Sequence, residues 1–332
     1  MRAFVLTKYK GPLQHTDVPE PVVGEHDVLV QIQAAGLNAL DEKIRAGEFK
    51  QILPYKLPQI LGNDLAGTVI GVGAKAREFT VGDQVYARPD KDRIGTFAER
   101  IAVAETDVAR TPTSVSIEEA ASLPLVALTA WQALVERANL QAGQRVLIHA
   151  GAGGVGTIAI QLAKHLGATV ATTVSTDNVE FVRELGADVV IDYRRQDFEQ
   201  LLDGYDLVLD SLGGKNLEKS LRVLRPGGTA IGIAGPPDPE FARELGANLV
   251  LRLAITALSS GIRRQSKRLG VNYEFLFMRA DGAQLRHITA LVDDGALRPV
   301  VGRVFDFDQT AQALRSLEDR GTRGKSVIRM PS

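Results

Sequence analysis

The sequence predicts an α/β fold that combines a β-rich region with a doubly wound parallel sheet, and three observations lead to it. Strand-like runs separated by turn residues fill the first 110 residues, among them AFVLT, DVLVQIQAAG and LAGTVIGVG. From residue 145 onwards, strand-like and helix-like runs alternate. The first of these strands runs into the glycine-rich stretch HAGAGGVG, which opens a helix.

Composition limits the possible classes of function. A chain of 332 residues exceeds the size at which single cores stop growing, so two domains are expected. The net charge of -1 provides no overall field for nucleic acid or an anionic membrane. Cysteine is absent, which excludes disulfides, thiolate catalysis and cysteine-ligated zinc. No apolar run is long enough for a membrane span and no export signal is recognisable, so a cytoplasmic protein is expected.

The elements follow in order along the chain. The first clear helix start is SIEEAASLP, where Ser116 is placed to cap the helix and Glu118 and Glu119 lie in its positive first turn. Beyond residue 145, helix-like runs separate the strand-like runs VLIHA, ATVATTV, DVVIDY, YDLVLDSLG and GGTAIGIAG. A helix-like QLRHITALVDDG and a strand-like RPVVGRVFDF come next. A last helix to about Arg320 precedes the final strand, SVIRM.

Residues 237–270 are predicted to form one or two helices that are apolar first and basic afterwards. After the prolines, this stretch reads FARELGANLVLRLAITALSSGIRRQSKRLG. One hypothesis is a helix that lies on a membrane surface. The other is a helical flap that packs against the core and leaves its basic end in solvent. Because Arg252 interrupts the apolar part, the sequence favours the flap.

The glycine-rich turn has the G-x-G-x-x-G spacing of a dinucleotide-binding site. Gly151 allows a tight turn, Gly153 lets the backbone approach a pyrophosphate, and Gly156 allows close packing of helix on sheet. Gly154 and Val155 lie at the start of the helix, where free N–H groups attract anionic oxygen. These residues are therefore candidates for cofactor binding.

The end of the second parallel strand indicates which dinucleotide is bound. NAD enzymes usually have an acid there, whereas this chain has Ser175 and Thr176, which leave room for a 2′-phosphate. Asp177 falls after the strand and is interpreted as an N-terminal helix residue. NADPH is therefore predicted, and the further candidates for its adenosine end are Asn178, Tyr193 and Arg194.

Several segments together resemble the quinone oxidoreductase-like, zinc-independent branch of the medium-chain dehydrogenase/reductase superfamily, which includes enone reductases. They are AAGLNALDEKIRAGEF, ILGNDLAGTVIGVG, FTVGDQVYA, GTFAER, ASLPLVALTAWQAL, HAGAGGVGTIAIQLAK, ELGADVVIDY, LRPGGTAIGIAG and GKSVI. The resemblance implies a GroES-like catalytic domain from residues 1–125 and 270–332. It also implies a Rossmann NADP-binding domain at 126–269, with the flap at about 237–269. Hydride transfer in the cleft between these domains and a homodimer through the Rossmann sheet edge are further implications.

Zinc is the main branch point within this superfamily. Zinc-dependent relatives have a Gly-His-Glu element and cysteine ligands, whereas this chain reads Gly62-Asn63-Asp64 and lacks cysteine. No metal site is therefore expected. Surface or strand-end positions are expected for all the histidines, which are His15, His26, His149, His165 and His287.

The resemblance also implies site residues. Asn38 would hydrogen-bond the substrate or the nicotinamide ribose, and the alternative is that it is only a turn residue. Asp41 matches a polar position that lines the cleft, and the alternative is that it is a structural acid at the start of a helix. The family tyrosine after R-x-G is replaced by Phe49, so Tyr55 and water remain as proton donors. Lys325 matches a position that contacts the cofactor, and the alternative is that it is a solvated lysine before the last strand. Further matches to cleft or cofactor positions are Asp64, Thr129, Gly235, Phe277 and Gly324.

These observations predict an enzyme that transfers hydride from NADPH to small-molecule acceptors, namely quinones or α,β-unsaturated carbonyl compounds. Without a metal to polarise an alcohol, reduction of an electron-poor acceptor is the easier reaction. The alternatives are a zinc-free alcohol dehydrogenase, an enoyl-thioester reductase, and an NADPH-binding regulatory protein without catalysis.

Overall fold

The computed structural model describes residues 1–318 and 322–331 and forms two compact units. The first unit contains Met1–Leu128 and Arg279–Ser332, and the second contains Thr129–Met278. Arg320, where the last helix was predicted to end, lies outside the described residues.

The strands of the two units are numbered in chain order. Those of the first unit are β1 (Arg2–Leu6), β2 (Leu13–Asp17), β3 (Asp27–Gly36), β4 (Gln59–Ile60), β5 (Leu65–Val72), β6 (Gln84–Ala87), β7 (Arg100–Ala104) and β8 (Val108–Arg110), joined later by β15 (Val301–Asp306) and β16 (Lys325–Arg329). Those of the second unit are β9 (Arg145–Ile148), β10 (Thr169–Val174), β11 (Val189–Asp192), β12 (Tyr205–Asp210), β13 (Leu224–Gly232) and β14 (Asn272–Phe275).

The α-helices are numbered in the same way. They are α1 (Ala39–Ala46), α2 (Ile117–Ala121), α3 (Pro124–Trp131), α4 (Gly154–His165), α5 (Val179–Glu184), α6 (Phe198–Leu201), α7 (Gly214–Ser220), α8 (Pro239–Glu244), α9 (Leu249–Leu258), α10 (Ser260–Leu269), α11 (Gly282–Asp293) and α12 (Thr310–Arg315). Ser116 caps α2 as predicted and accepts a hydrogen bond from the Glu119 amide. Helix α1 has a weaker sequence signal, because four of its eight residues are charged, but it contains Asp41, for which a structural acid at a helix start was the alternative.

The first unit is β-rich, as predicted, and the end of the chain completes its larger sheet. The order of that sheet is β15-β16-β3-β5-β6-β8, with β7 also paired to β3, and a second sheet has the order β2-β1-β4. β16 pairs antiparallel with β3, where Ile328 lies opposite Ala35. Residues from both ends of the sequence therefore share one sheet, which places Lys325 at the beginning of β16 close to the end of β3.

The second unit is a parallel sheet of order β11-β10-β9-β12-β13-β14. The chain starts at β9 in the middle, builds outward to β11, and then crosses to β12 on the other side. Val146, Leu147 and Ile148 of β9 are completely buried, as expected for a strand covered on both faces. Ligands of such sheets bind at the carboxyl ends of the strands beside this change of direction, where the glycine-rich turn lies.

The segment at 237–269 is helical, as predicted, and its basic end is exposed, but much of the apolar surface of α9 is exposed as well. Ile255 of α9 is buried, whereas Leu249, Val250, Leu253 and Leu258 are between 62% and 77% exposed. The apolar side chains of α9 therefore face away from the core along most of that helix. Within residues 1–318 and 322–331, no helix has the length and apolar character that crossing a membrane requires.

Candidate functional site

Two of the three motif glycines are required by the packing of the chain itself. A Cβ atom on Gly151 would lie 2.2 Å from Oγ1 of Thr172. A Cβ atom on Gly156 would lie 2.3 Å from the carbonyl oxygen of Ala150 and 2.7 Å from Cα of Gly151. These contacts fix the tight turn after β9 and the close approach of α4 to the sheet.

Gly153 differs from the other two glycines, because the protein leaves room for a side chain there. The nearest atom to a Cβ would be the Ala150 carbonyl oxygen at 3.3 Å, and the φ of -80° and ψ of 173° suit any residue. The absence of a side chain is therefore not explained by the fold. Gly153 precedes the free N–H groups of α4, including those of Gly154 and Val155, so the turn fits an anionic group that approaches the backbone closely.

The candidates for the adenosine end lie together at the carboxyl ends of β10 and β11. The Thr176 hydroxyl donates to Oδ2 of Asp192 over 2.7 Å, and Nδ2 of Asn178 donates to Oγ of Ser175 over 3.1 Å. Asp192, the last residue of β11, therefore also belongs to this cluster, although the sequence analysis did not name it as a site residue. Its sequence signal is the acid that closes the apolar run DVVID.

The same cluster contains an exposed ion pair. Nη1 of Arg194 donates to Oδ2 of Asp177 over 3.3 Å, and Tyr193 beside it is 55% exposed. Asp177 therefore holds a basic side chain at the place where a 2′-phosphate is predicted.

Three other predicted cofactor residues lie in the second unit, and each has a structural environment of its own. A Cβ on Gly235 would lie 2.5 Å from the hydroxyl of Tyr273, so glycine is needed there for packing. The ring of Phe277 lies 5.9 Å from that of Phe241. Thr129 is buried in α3.

The first unit contains a buried cluster around Lys325, Asp64 and Asn38. Nζ of Lys325 donates to the Leu37 carbonyl over 2.7 Å, to Oδ2 of Asp64 over 3.0 Å and to Oδ1 of Asn38. The lysine is 6% exposed, so the alternative of a solvated lysine is wrong. Gly324 before it has a φ of 62°, and its Cβ would lie 2.1 Å from the Val300 carbonyl oxygen, so only glycine fits this turn.

Asp64 is the centre of this cluster and is completely buried. Besides the lysine, Nδ2 of Asn38 donates to its Oδ2 over 2.9 Å, and the amide of Leu125 donates to its Oδ1 over 2.7 Å. Both carboxylate oxygens are thus satisfied, and the charge is paired.

Asp41 and Tyr55 lie near this cluster, but their polar atoms are already engaged. The Asp41 carboxylate accepts from the Asn38 amide and from Nδ2 of Asn63, both over 2.7 Å. Complete burial raises the pKa of Asp41 to about 7, although these two donors act in the opposite direction. The Tyr55 hydroxyl donates to the Lys91 carbonyl over 2.6 Å, and burial raises its pKa.

Arg88 is a buried cation that sequence reasoning missed. Leu65, the first residue of β5, pairs with Ala87, the last residue of β6. Arg88, which follows β6, therefore lies opposite Asp64, which precedes β5. It is 1% exposed, and its Nε and Nη1 atoms have no hydrogen-bond partner among residues 1–318 and 322–331. Burial lowers its pKa. Because a buried unpaired guanidinium is costly, water or a ligand oxygen must satisfy it. Its sequence signal is an arginine directly after the apolar strand DQVYA.

The residues present do not fit a catalytic zinc ion. Zinc needs three ligands from cysteine, histidine or carboxylate, whereas Asp64 is surrounded by an ammonium group, an amide side chain and a backbone N–H. No group of three or more histidine, aspartate or glutamate side chains in the described part of the chain could hold a metal ion.

Of the histidines, His149 occupies a buried position at the end of β9, and the other four are exposed, as predicted for surface or strand-end residues. Nδ1 of His149 lies 2.9 Å from Oγ1 of Thr173, and Nε2 lies 2.9 Å from Oγ of Ser220. Burial lowers its pKa to about 4, so the ring is neutral in the folded protein.

This histidine predicts an acid-sensitive contribution to stability. Its pKa is depressed on folding, so the contribution is complete above pH 6.5 and is lost as the pH falls from 6.5 through 4. We expect the free energy of unfolding of His149→Gln to fall less steeply over this range, by a difference of roughly 3 kcal/mol. Urea unfolding at several pH values measures it, and parallel curves for both proteins would contradict the prediction.

Comparison with known proteins agrees with this architecture. Residues 185–328 match the family model described as zinc-binding dehydrogenase, and residues 24–113 match the alcohol dehydrogenase GroES-like domain. The α/β fold with a GroES-like part and a Rossmann-like parallel sheet is thereby confirmed. Although one matching model is described as zinc-binding, the donor atoms around Asp64 described above do not supply the ligands that zinc requires.

The chain is also similar to several oxidoreductases over almost its whole length. It is 35% identical to the mitochondrial NAD(P)H oxidoreductase RTN4IP1 of Danio rerio, over 99% of this chain and 91% of that protein. It is 33% identical to the chloroplastic NADPH-dependent alkenal/one oxidoreductase of Arabidopsis thaliana, over 99% of this chain and 79% of that protein. The quinone oxidoreductase of Coxiella burnetii has a similar structure, with a TM-score of 0.87 and 31% identity over 100% of this chain and 99% of that one. The chain therefore belongs to the medium-chain dehydrogenase/reductase superfamily and is an oxidoreductase of its quinone and enone reductase-like branch.

Proposed function

We propose that this protein reduces quinones or α,β-unsaturated carbonyl compounds with hydride from NADPH and without zinc. The observation that carries the proposal is the turn at Gly153, where the protein itself would accommodate a side chain and yet has none. A pyrophosphate that approaches the backbone explains this glycine. The names of the Arabidopsis and Coxiella proteins support the two classes of acceptor.

Three sets of residues are proposed to bind the cofactor. In the proposal, Gly151, Gly153, Gly154, Val155 and Gly156 hold the pyrophosphate through backbone N–H groups and the N-terminus of α4. Further proposed contacts come from Ser175, Thr176, Asn178, Tyr193 and Arg194 at the adenosine end, and from Thr129, Gly235, Phe277, Gly324 and Lys325 elsewhere. When bound, NADPH supplies the hydride for reduction.

On the acceptor side, the proposal assigns the chain an electrostatic role. An electron-poor acceptor needs orientation and stabilisation of the oxyanion that forms on its carbonyl, and both can come from fixed hydrogen-bond donors. The N–H groups of Lys325 and Asn38 already donate within their own cluster, so in this proposal the cluster contributes a fixed electrostatic field and not free donors. Asp41 and Tyr55 are hydrogen-bonded within the protein, so we propose that water, and not either of them, delivers the final proton.

The experiment that tests the function is an acceptor panel. Purified protein is mixed with NADPH or NADH and with a quinone, an alkenone, a saturated ketone or an enoyl thioester, and cofactor oxidation is followed with and without a chelator. We expect turnover with NADPH and the quinone or alkenone, unchanged by chelation. Turnover of the enoyl thioester alone, or interconversion of alcohols and saturated ketones, would favour the enzymatic alternatives. Tight NADPH binding without any turnover would favour a regulatory protein.

The ion pair between Arg194 and Asp177 predicts a change in cofactor preference. In Asp177→Asn the guanidinium is released from its acidic partner, and one negative charge is removed from the neighbourhood of the 2′-phosphate. We expect the ratio of kcat/KM for NADPH over NADH to rise about threefold to fivefold, as suits an exposed pair. Steady-state kinetics with both cofactors measures this ratio. Glu180→Gln, which alters another exposed acid that is paired with Arg183, is the control and is expected to leave it unchanged.

The assembly and the domain boundaries are also proposals. β14 lies at an open end of its sheet, so a second copy could pair with it and form a homodimer about a twofold axis. The predicted domains are 1–125 with 270–332 and 126–269. We propose that the first unit is the catalytic part and that the second unit is the cofactor-binding part, which extends beyond residue 269 because it includes β14. A cytoplasmic location remains a prediction. The relative from Danio rerio is named as mitochondrial and the one from Arabidopsis thaliana as chloroplastic.

A further inference from the structure

Helix α9 presents an apolar stripe to solvent. Val250, Leu253, Ala254 and Ala257 follow each other at the spacing i, i+3, i+4 and i+7, which places them on one face, and all four are exposed. Val250 is 77% and Leu253 62% exposed. Ile255 on the opposite face is buried and anchors the helix. A contiguous apolar surface of this kind marks a place where another molecule binds.

Helix α10, which follows directly, presents a basic stripe. Arg263, Arg264, Lys267 and Arg268 are exposed, at the spacing i, i+1, i+4 and i+5, whereas Ile262 is buried. Residues 245–273 contain these four cations and Arg252 but no aspartate or glutamate, although the whole chain has a net charge of -1.

Among the described residues, no ion pair neutralises these five cations. Within the part of the chain that the structure describes, no carboxylate lies within ion-pair distance of Arg252 or of the four cations of α10. Arg263 and Lys267 share a groove with Glu240, Glu244 and Glu274, which lowers the local field of these two cations. Arg264 and Arg268 do not line that groove, so their charge is the most available to a partner.

We propose that α9 and α10 form a docking surface for an anionic phospholipid bilayer, which we call the α9–α10 surface. The apolar stripe enters the boundary between headgroups and acyl chains, and the basic stripe pairs with lipid phosphates. A helix that lies in the interface needs both features, and neither alone gives stable binding. The proposal adds a location to the proposed function, because quinones and alkenones are apolar molecules that concentrate in bilayers.

A second copy of the chain fits this surface less well. In a twofold contact the same patch meets itself, so the five cations of one protomer would face the five of its partner. An anionic bilayer instead has the opposite charge and a continuous apolar interior. The charge of the surface therefore favours lipid.

Sedimentation of the full chain with vesicles tests the proposal. We expect binding to vesicles of phosphatidylcholine with added phosphatidylglycerol, little binding to phosphatidylcholine alone, and weaker binding at high salt. Leu253→Glu tests the apolar stripe, and the pair Arg264→Glu with Arg268→Glu tests the basic one. The arginine pair is expected to weaken binding at least about tenfold, since one cation near an anionic surface contributes about fivefold. Leu253→Glu is expected to weaken it at least about tenfold as well, because it places a negative charge in the apolar stripe that enters the bilayer.

Matched controls and a second readout separate the possible outcomes. Val22→Glu changes an apolar side chain that is 89% exposed elsewhere, and Lys215→Glu reverses an exposed cation on α7, so neither is expected to alter binding. NADPH oxidation with a water-soluble acceptor should be equal in all variants, which makes this test independent of the proposed function. Absence of binding to anionic vesicles, or equal loss in the controls, would overturn the proposal. So would sedimentation equilibrium in which Leu253→Glu separates a dimer while lipid binding persists.

Discussion

Replacing Gly153 with alanine weakens NADPH binding about thirtyfold or more, a loss of roughly 2 kcal/mol, while the fold stays intact. A Cβ at this position meets only the Ala150 carbonyl oxygen, at 3.3 Å, so the apoprotein accommodates it with a small adjustment. The added methyl group instead occupies the space through which a pyrophosphate reaches the backbone. Isothermal titration with NADPH measures the affinity, and thermal unfolding of the apoprotein measures the fold.

Gly156→Ala is the matched control for this prediction. Its Cβ would lie 2.3 Å from the Ala150 carbonyl oxygen and 2.7 Å from Cα of Gly151, both backbone atoms that cannot give way without moving the turn. We expect this variant to lose roughly 1–3 kcal/mol of unfolding free energy. If Gly153→Ala were equally destabilised, or bound NADPH normally, the assignment of the turn to the cofactor would be wrong.

Asp64→Leu is expected to destabilise the protein by about 3–5 kcal/mol, because it leaves the Lys325 ammonium group buried without its charge partner. Asp64 is completely buried and Lys325 is 6% exposed, so bulk solvent does not reach the ammonium group that is left behind. Urea unfolding monitored by circular dichroism gives the free energy directly.

The double variant Asp64→Leu/Lys325→Met distinguishes a buried ion pair from simple packing. Removal of both charges eliminates the isolated ammonium group, so we expect about half or more of the lost stability to return. Additive losses would show that the two side chains act independently, which contradicts the 3.0 Å contact between Nζ and Oδ2.

Much of the fold could be predicted from the sequence because its signals are local. The strand, the glycines and the helix start lie next to one another between residues 145 and 165, and the alternation of strands and helices gives the parallel sheet. Ser116 was recognised as a helix cap for the same reason, since its partner Glu119 is three residues away.

The acceptor side could be predicted only in part, because its contacts join residues far apart in the chain. Lys325 meets Asn38 and Asp64 across more than 260 positions, so no spacing shows that the lysine is buried. Arg88 was missed because an arginine after a strand usually reaches solvent, and its burial depends on the neighbouring strands. The exposure of Leu253 agrees only with the alternative of a membrane-surface helix, which the sequence did not favour, since an apolar helix period normally indicates packing against a core.

The central claim is that hydride passes from NADPH to an activated acceptor without a metal. The most direct measurement uses NADPH deuterated at the transferable position of nicotinamide C4, an alkenone acceptor and a chelator, with mass spectrometry and NMR of the product. We predict a saturated ketone that contains deuterium at the β-carbon and a solvent proton at the α-carbon. A product without deuterium, or a reaction that stops on chelation and resumes with zinc, would contradict it.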